Sequence, residues 1–459
     1  MHNLLLLLVI GTLLVLFLIW LLSHWEWLPV ILLVILWYIP RQAVPGGLLE
    51  DYLYLRWLTV FLIPMILFFQ IFKIVRRKNC VMPPARFLIP LIMLSTTYII
   101  SGIINNVRFP EIIGSLLLYI RYSLLFFVLI NMDLPEDKIQ IFIKLFFLLL
   151  AIQIPECFYR YFVLGISGDL LSWTLGPYGQ FDLGVYSIYA ICLITAYGCI
   201  NRFNWYKLLA MILLFTVAIM GEIKTFIISI PVISIAIVVY YFRNSKGIKR
   251  VLILGLPILL VLIVYYIVRL WGSVHTSSGN ALQFYLQLVF QILSNPDMLF
   301  NPQGLSLETS RFLGHAFVLD YLKSNPLNLL LGAGPGSLMA GQFFGTPGKL
   351  FDVPQYLNQI AVIIGEVGII GLFLFYIFYL NILILVIQPN VGSQNRFVKT
   401  IALAGVGMWL FYAFLGPWYD LVWRHDSPNF IFYYFSAYLY LQKLQNNQLR
   451  ESVKYYNVK

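Results

Sequence analysis

An all-α integral membrane protein, a polytopic helical bundle of about 12–14 spans with one large connection on a single side, is the fold class this sequence predicts. Three observations predict it. Of 459 residues 61% are hydrophobic and only 11% charged, with mean hydropathy +0.86. A soluble domain carries about 25% charged residues, so this chain lacks the polar surface to cover a water-exposed exterior and needs lipid as its solvent. Apolar runs long enough to cross a bilayer recur along almost the whole length. The basic residues gather at the ends of those runs, as cytoplasmic anchors do.

The runs fall near 3–22, 28–40, 57–75, 87–104, 112–131, 139–157, 184–201, 206–220, 225–242, 251–269, 359–387, 399–417 and 428–443. The first is too long for the apolar core of a signal peptide and lacks a basic leader, so it is expected to be a retained span. The second is short enough to be re-entrant. Lys73, Arg76, Arg77, Lys78 and Arg86 surround one connection; Arg202 and Lys207 mark a second; Arg243, Lys246, Lys249 and Arg250 a third; Arg396 and Lys399 a fourth; Lys443, Arg450, Lys454 and Lys459 the tail. These places alternate as cytoplasmic positions should, which puts the C-terminus inside and the connection 270–358 outside. The chain therefore divides into N-terminal transmembrane helices (1–269), a large outer loop with short helices (270–358), and C-terminal transmembrane helices with a cytoplasmic tail (359–459).

Long structured connections carry function more often than short ones. Within this one, 306–324 reads as a helix with Ser306 or Ser310 as N-cap and Asn325-Pro326 as its stop. The stretch Gly332-Ala-Gly-Pro-Gly336 forms a tight turn, and Asp352 before Val353-Pro354 reads as the start of a long helix, 355–387.

Glu308, Arg311 and His315, spaced three and four apart, share one helix face. An Arg fork suits a phosphate and a His moves protons near neutral pH; the alternative is a solvated polar face. Asp320 and Lys323 are expected to pair locally. Gly334 and Gly336 offer backbone N–H groups to an anion, or simply shape a turn. Glu222 and Lys224 lie between two apolar helices at the outer end, to hold a headgroup or to cap a hairpin. Arg121, inside an apolar run, either snorkels to an interface or faces the bundle as a functional residue. Arg160 sits just past a span. His275, His315 and His425 show no metal-ligand spacing, the four cysteines form no CxxC pair, and no basic stretch suits nucleic acid.

The succession Ser310-Arg-Phe-Leu-Gly-His315, Asn325-Pro-Leu327, Gly332-Ala-Gly-Pro-Gly336, Tyr356-Leu-Asn358 and Gly365-Glu-Val-Gly-Ile-Ile-Gly371 resembles the O-antigen ligase/polymerase superfamily. The resemblance covers about a fifth of the chain. It implies a GT-C-like glycosyltransferase of the bacterial inner membrane, its large loop periplasmic, moving glycan from undecaprenyl pyrophosphate to an acceptor hydroxyl. No metal, nucleotide sugar or other cofactor is implied; the partners are the lipid-linked glycan, membrane lipids, a flippase and a chain-length regulator. Arg311 takes the place of the family's loop arginine, which neutralises the pyrophosphate leaving group, with His315 or Glu222 as candidate bases and Arg121, Arg160, Lys224, Gly334 and Gly336 as substrate contacts. Ligases of the family carry a His shortly before the Asn or Tyr that opens the following helix; Asp352-Val-Pro-Gln355 has none, which favours a polysaccharide polymerase over a ligase. A lipid-linked glycan transporter is the competing class, for which paired repeats and broken helices are the expected marks.

Overall fold

The computed structural model describes residues 25–42, 81–132, 134–166, 171, 175, 179–201, 204–221, 224–242, 307–338, 358–417 and 426–456. The expected spans at 3–22, 57–75 and 251–269, the loop residues 270–306 and 339–357, and Glu222, His275 and His425 lie outside them. Among the described residues the chain is helical, without a strand. A 3₁₀ turn, Trp25–Trp27, leads into α1 (Leu28–Gln42); then come α2 (Ala85–Ile104), α3 (Phe109–Leu129), α4 (Glu136–Phe162), α5 (Gln180–Ile200), α6 (Trp205–Met220) and α7 (Lys224–Phe242). The loop contributes α8 (Leu307–Leu322) and α9 (Pro326–Leu331). Helix α10 (Gln359–Ile382) runs through a π-helical turn, Leu383–Ile387, into a last helical turn, Gln388–Val391. Helix α11 (Arg396–Leu410) ends in a second π turn, Phe411–Leu415, and α12 spans Asp426–Tyr456.

Six of these helices are long and apolar enough to cross a membrane, and three shorter apolar ones accompany them. This is a multi-pass membrane protein. Its outward faces carry Ile89, Ile92, Met93 and Ile103 on α2 and Ile369 and Phe373 on α10, which lipid tails solvate as readily as a protein core would. Among the described residues most of the interior is a large continuous apolar cluster, dense in aromatics. Within it Tyr433 shares hydrogen bonds with Ser123 (3.1 Å) and Tyr379 (3.0 Å), so these hydroxyls satisfy one another where water is excluded.

Contacts identify the two ends of the bundle. Asn381 of α10 donates to the Arg86 carbonyl at the start of α2 (2.6 Å), and Lys443 of α12 donates to the Leu385 carbonyl (2.8 Å). Asn395, before α11, donates to Glu136 at the start of α4 (3.1 Å), and Lys399 lies over Tyr241 at the end of α7 (5.2 Å). Helices α5 and α7 start side by side through Phe181 and Phe226 (5.3 Å), so Lys207, over Tyr197 near the end of α5 (4.2 Å), shares that end too. Four of the five basic places in the sequence thus meet at one end; the third, Arg243–Arg250, lies outside the described residues. The turn after α9 and the first residues of α10 occupy the other end.

Helix α8 is described from Leu307, so of the two expected N-caps Ser310 lies inside the helix and Ser306 immediately precedes its first described residue. One helix start differs from expectation. Helix α10 does not run unbroken from 355: Asn358 is extended (φ −80, ψ 167), and its side chain accepts from the Ala361 N–H (2.8 Å). Asparagine caps as well as aspartate, so the orphan N–H groups need nothing from Asp352.

Candidate functional site

The end away from the basic residues is built around a fault in α10. That helix is highly apolar, with Glu366 as its single acidic or basic side chain between Gln359 and Val391. Two residues on, Gly368 leaves helical geometry (φ 69, ψ −168), which a side chain would resist. A Cβ at Gly368 would collide with the Leu330 carbonyl, and one at Gly332 with the backbone of Glu366. The end of α9 and the following turn are therefore wedged into the break.

Carbonyls beside a break in a membrane helix must be satisfied by protein. Here the Ala333 N–H donates to the Gly365 carbonyl (2.7 Å), the Ser101 hydroxyl to the Glu366 carbonyl (2.9 Å), and the Ser337 hydroxyl, more weakly, to Gly365 (3.4 Å). The Tyr98 hydroxyl donates to Glu366 Oε2 (3.4 Å). One turn beyond Ser101, the Asn105 amide donates to the Ser101 carbonyl (2.9 Å) and to the Gly332 carbonyl (3.1 Å). The end of α2 thus binds both sides of the joint. It closes with Asn106 in the left-handed region (φ 55) and a Val107 N–H to Gly102 carbonyl bond (2.9 Å), a left-handed helix stop of the kind Asn tolerates.

Helix α8 docks here as well. Val318 and Leu322 pack with Ala333, Ile360, Ala361 and Ile364 in a small apolar cluster of their own. His315, one turn before Val318, is buried, so the solvated-face alternative is overturned for that residue. The side chains of Glu308 and Arg311 lie outside the described set, although their helix is described; so does the side chain of Lys224, at the first position of α7. Asp320 and Lys323 form the expected local ion pair.

The remaining candidates separate. Gly332, Gly334 and Gly336 all have positive φ (80, 104 and 73). Gly334 is buried, and a Cβ there would approach Val107 Cγ2 to 2.6 Å and Asn105 Cβ to 3.1 Å. Close packing therefore accounts for it. Gly336 is roomier, with Ser115 Oγ the nearest atom at 3.6 Å. Arg121 is fully inside the bundle on α3, its guanidinium 4.9 Å from the Tyr122 ring centroid, so it does not snorkel. It stands about 200° around the helix from Tyr119 and Ser123, which face the Glu366 side. Arg160 reaches the same end of the bundle as the joint but is paired with Glu156 (3.8 Å). The structure brings together α8, the glycine turn and Glu366.

Glu366, Tyr98, Ser101 and Asn105 were not among the candidates drawn from the sequence. One signal was available: a carboxylate inside a strongly apolar helix costs about 2.5–3.5 kcal/mol at the bilayer centre, so Glu366 called for a reason. Beneath it, a cavity lined by Tyr98, Tyr119, Ser123, Ile363 and Tyr379 holds about 10 Å³. That is room for about one water and far too little for a sugar. Among the described residues no cluster of His, Cys, Asp or Glu suits a metal ion.

Fold and site define a class: a multi-pass helical membrane protein whose loop is keyed into a broken helix at the end opposite Arg86, Lys207, Lys399 and Lys443. No protein-family model matches the chain, and no curated protein matches it.

Proposed function

We propose that the protein is a membrane glycosyltransferase, a polymerase of O-antigen, capsule or exopolysaccharide. It transfers glycan from undecaprenyl pyrophosphate to an acceptor sugar hydroxyl at the periplasmic face of a bacterial inner membrane. The observation that carries this reading is the docking of α8, the helix of Arg311 and His315, onto the first turns of α10 at the end away from the basic residues. By the positive-inside rule that end is periplasmic, where lipid-linked glycans are polymerised. A rigid loop helix at the interface suits a lipid donor whose pyrophosphate sits at headgroup level. In the transfer the acceptor oxygen bonds the anomeric carbon, the bond to pyrophosphate breaks, and the hydroxyl proton leaves to a base or to the leaving group. Arg311 stabilises the charge developing on that leaving group. No metal or cofactor is part of the proposal.

Deleting the gene should abolish long polymer while a single repeat unit still reaches its final acceptor. Full-length polymer accumulating on undecaprenyl pyrophosphate would make the protein a ligase instead. The break at Gly368 favours one further reading, a transporter of the lipid-linked glycan, because broken helices line transport sites. In that case deletion would trap the repeat unit on the cytoplasmic leaflet.

A further inference from the structure

We propose that Asn105 is a positioning residue, whose amide holds the glycine turn, and through it helix α8, in the geometry that the transfer reaction needs. The proposal rests on the glycosyl-transfer reading above. Both amide hydrogens of Asn105 are engaged, one by the Ser101 carbonyl of its own helix and one by the Gly332 carbonyl of the loop. Carbonyls only accept, so the amide orientation is fixed by its partners. Ser101, a turn earlier, ties the same helix to the Glu366 carbonyl at the break. Helix α2 therefore fixes the loop and the broken helix relative to each other. The turn lies flat on Asn105, since a Cβ on Gly334 would come within 3.1 Å of the Asn105 Cβ. From Gly332 the chain runs back through the six residues of α9 to α8, which rests on α10 through Val318 and Leu322. A shift at Gly332 has few joints in which to be absorbed before it reaches the helix of Arg311.

Asn105→Asp keeps the shape but removes the donor and turns a carboxylate toward two carbonyl oxygens. Protonation restores one O–H donor, so the defect of this variant should shrink as pH falls. The assay uses full-length protein in nanodiscs and, as donor, the undecaprenyl-pyrophosphate-linked repeat unit extracted from cells lacking the gene. Asn105→Asp should lower kcat about 10- to 100-fold, the scale of a small misplacement. KM for that lipid should stay within about twofold, as for an interaction felt only in the transition state. The ratio of variant to wild-type kcat should rise toward acid pH. An unchanged kcat, a change in KM alone, or a ratio flat with pH overturns the proposal. If Asn105→Asp does not accumulate in the membrane, Asn105→Ala is measured for the same kcat loss at constant KM. Failure of both to accumulate makes Asn105 a folding residue and also overturns it. The wild-type protein in the same assay separates the two claims: no transfer from it sinks the transfer reading itself. An active wild type beside a normal Asn105→Asp sinks only the positioning role.

Discussion

Arg311 is the residue on which the proposed chemistry turns. Its guanidinium keeps its charge and can hold two phosphate oxygens at once, whereas lysine offers a point charge. Removing one preorganised group aimed at a developing anion costs about 3–4 kcal/mol, or about 100- to 1,000-fold in rate. Arg311→Ala should therefore abolish polymer in cells, and Arg311→Lys should impair it badly, both at normal membrane levels. Arg396→Ala, exposed at the basic end, should be nearly silent. Polymer of wild-type length and rate from Arg311→Ala would return that residue to the role of a solvated helix position. Spacing in the sequence was enough to single out Arg311 and His315, because a three–four pattern marks a helix face without knowledge of its neighbours. It was not enough to say which face is buried, and His315 proves to lie on the packed one. Glu366 and Asn105 escaped for a different reason. Their meaning lies in partners 268 residues away, for Tyr98 and Glu366, and 227 residues away, for Asn105 and Gly332, and no local pattern carries such pairings.

At the scale of the element, the broken helix makes the sharpest claim. Gly368 sits at positive φ against the Leu330 carbonyl, so Gly368→Ala meets both backbone strain and a collision. The strain alone costs about 1–3 kcal/mol. The expected result is a clear fall in the unfolding midpoint in detergent. Gly392→Ala is the control: it has nothing within 4 Å and an ordinary φ of −83, and should stay within about 0.5 kcal/mol of wild type. Equal stability of the two variants would mean that the turn is not wedged into α10. Hydropathy located this helix and its neighbours well, since period and length suffice for apolar spans: the run expected at 87–104 is observed as Ala85–Ile104, and 225–242 as Lys224–Phe242. Hydropathy could not locate the break. A glycine in an apolar run looks the same whether it eases helix packing or interrupts the helix, and only the carbonyls of a separate segment distinguish the two cases.

For the whole molecule, orientation is the open test. The basic residues Arg86, Lys207, Lys399 and Lys443 share one end, and the positive-inside rule assigns that end to the cytoplasm. With the native cysteines replaced, a cysteine at Ser278 should react with a membrane-impermeant maleimide in cells whose outer membrane is permeabilised. One at Asn446, exposed near the end of α12, should not. Labelling at Asn446 alone would invert the molecule and move the loop to the cytoplasm. The joint at Glu366 also bears on how the chain is made. Synthesis runs from the N-terminus, and segments fold as they emerge. Tyr98, Ser101 and Asn105 are translated first, the turn at Gly332 next, and Glu366 last of all. By the time the ribosome delivers the one carboxylate of α10, Tyr98, Ser101 and the turn at Gly332 have already been synthesised. The carboxylate can pass from the insertion machinery directly to its partners, and a helix that would be a poor client for the bilayer on its own arrives with its destination prepared.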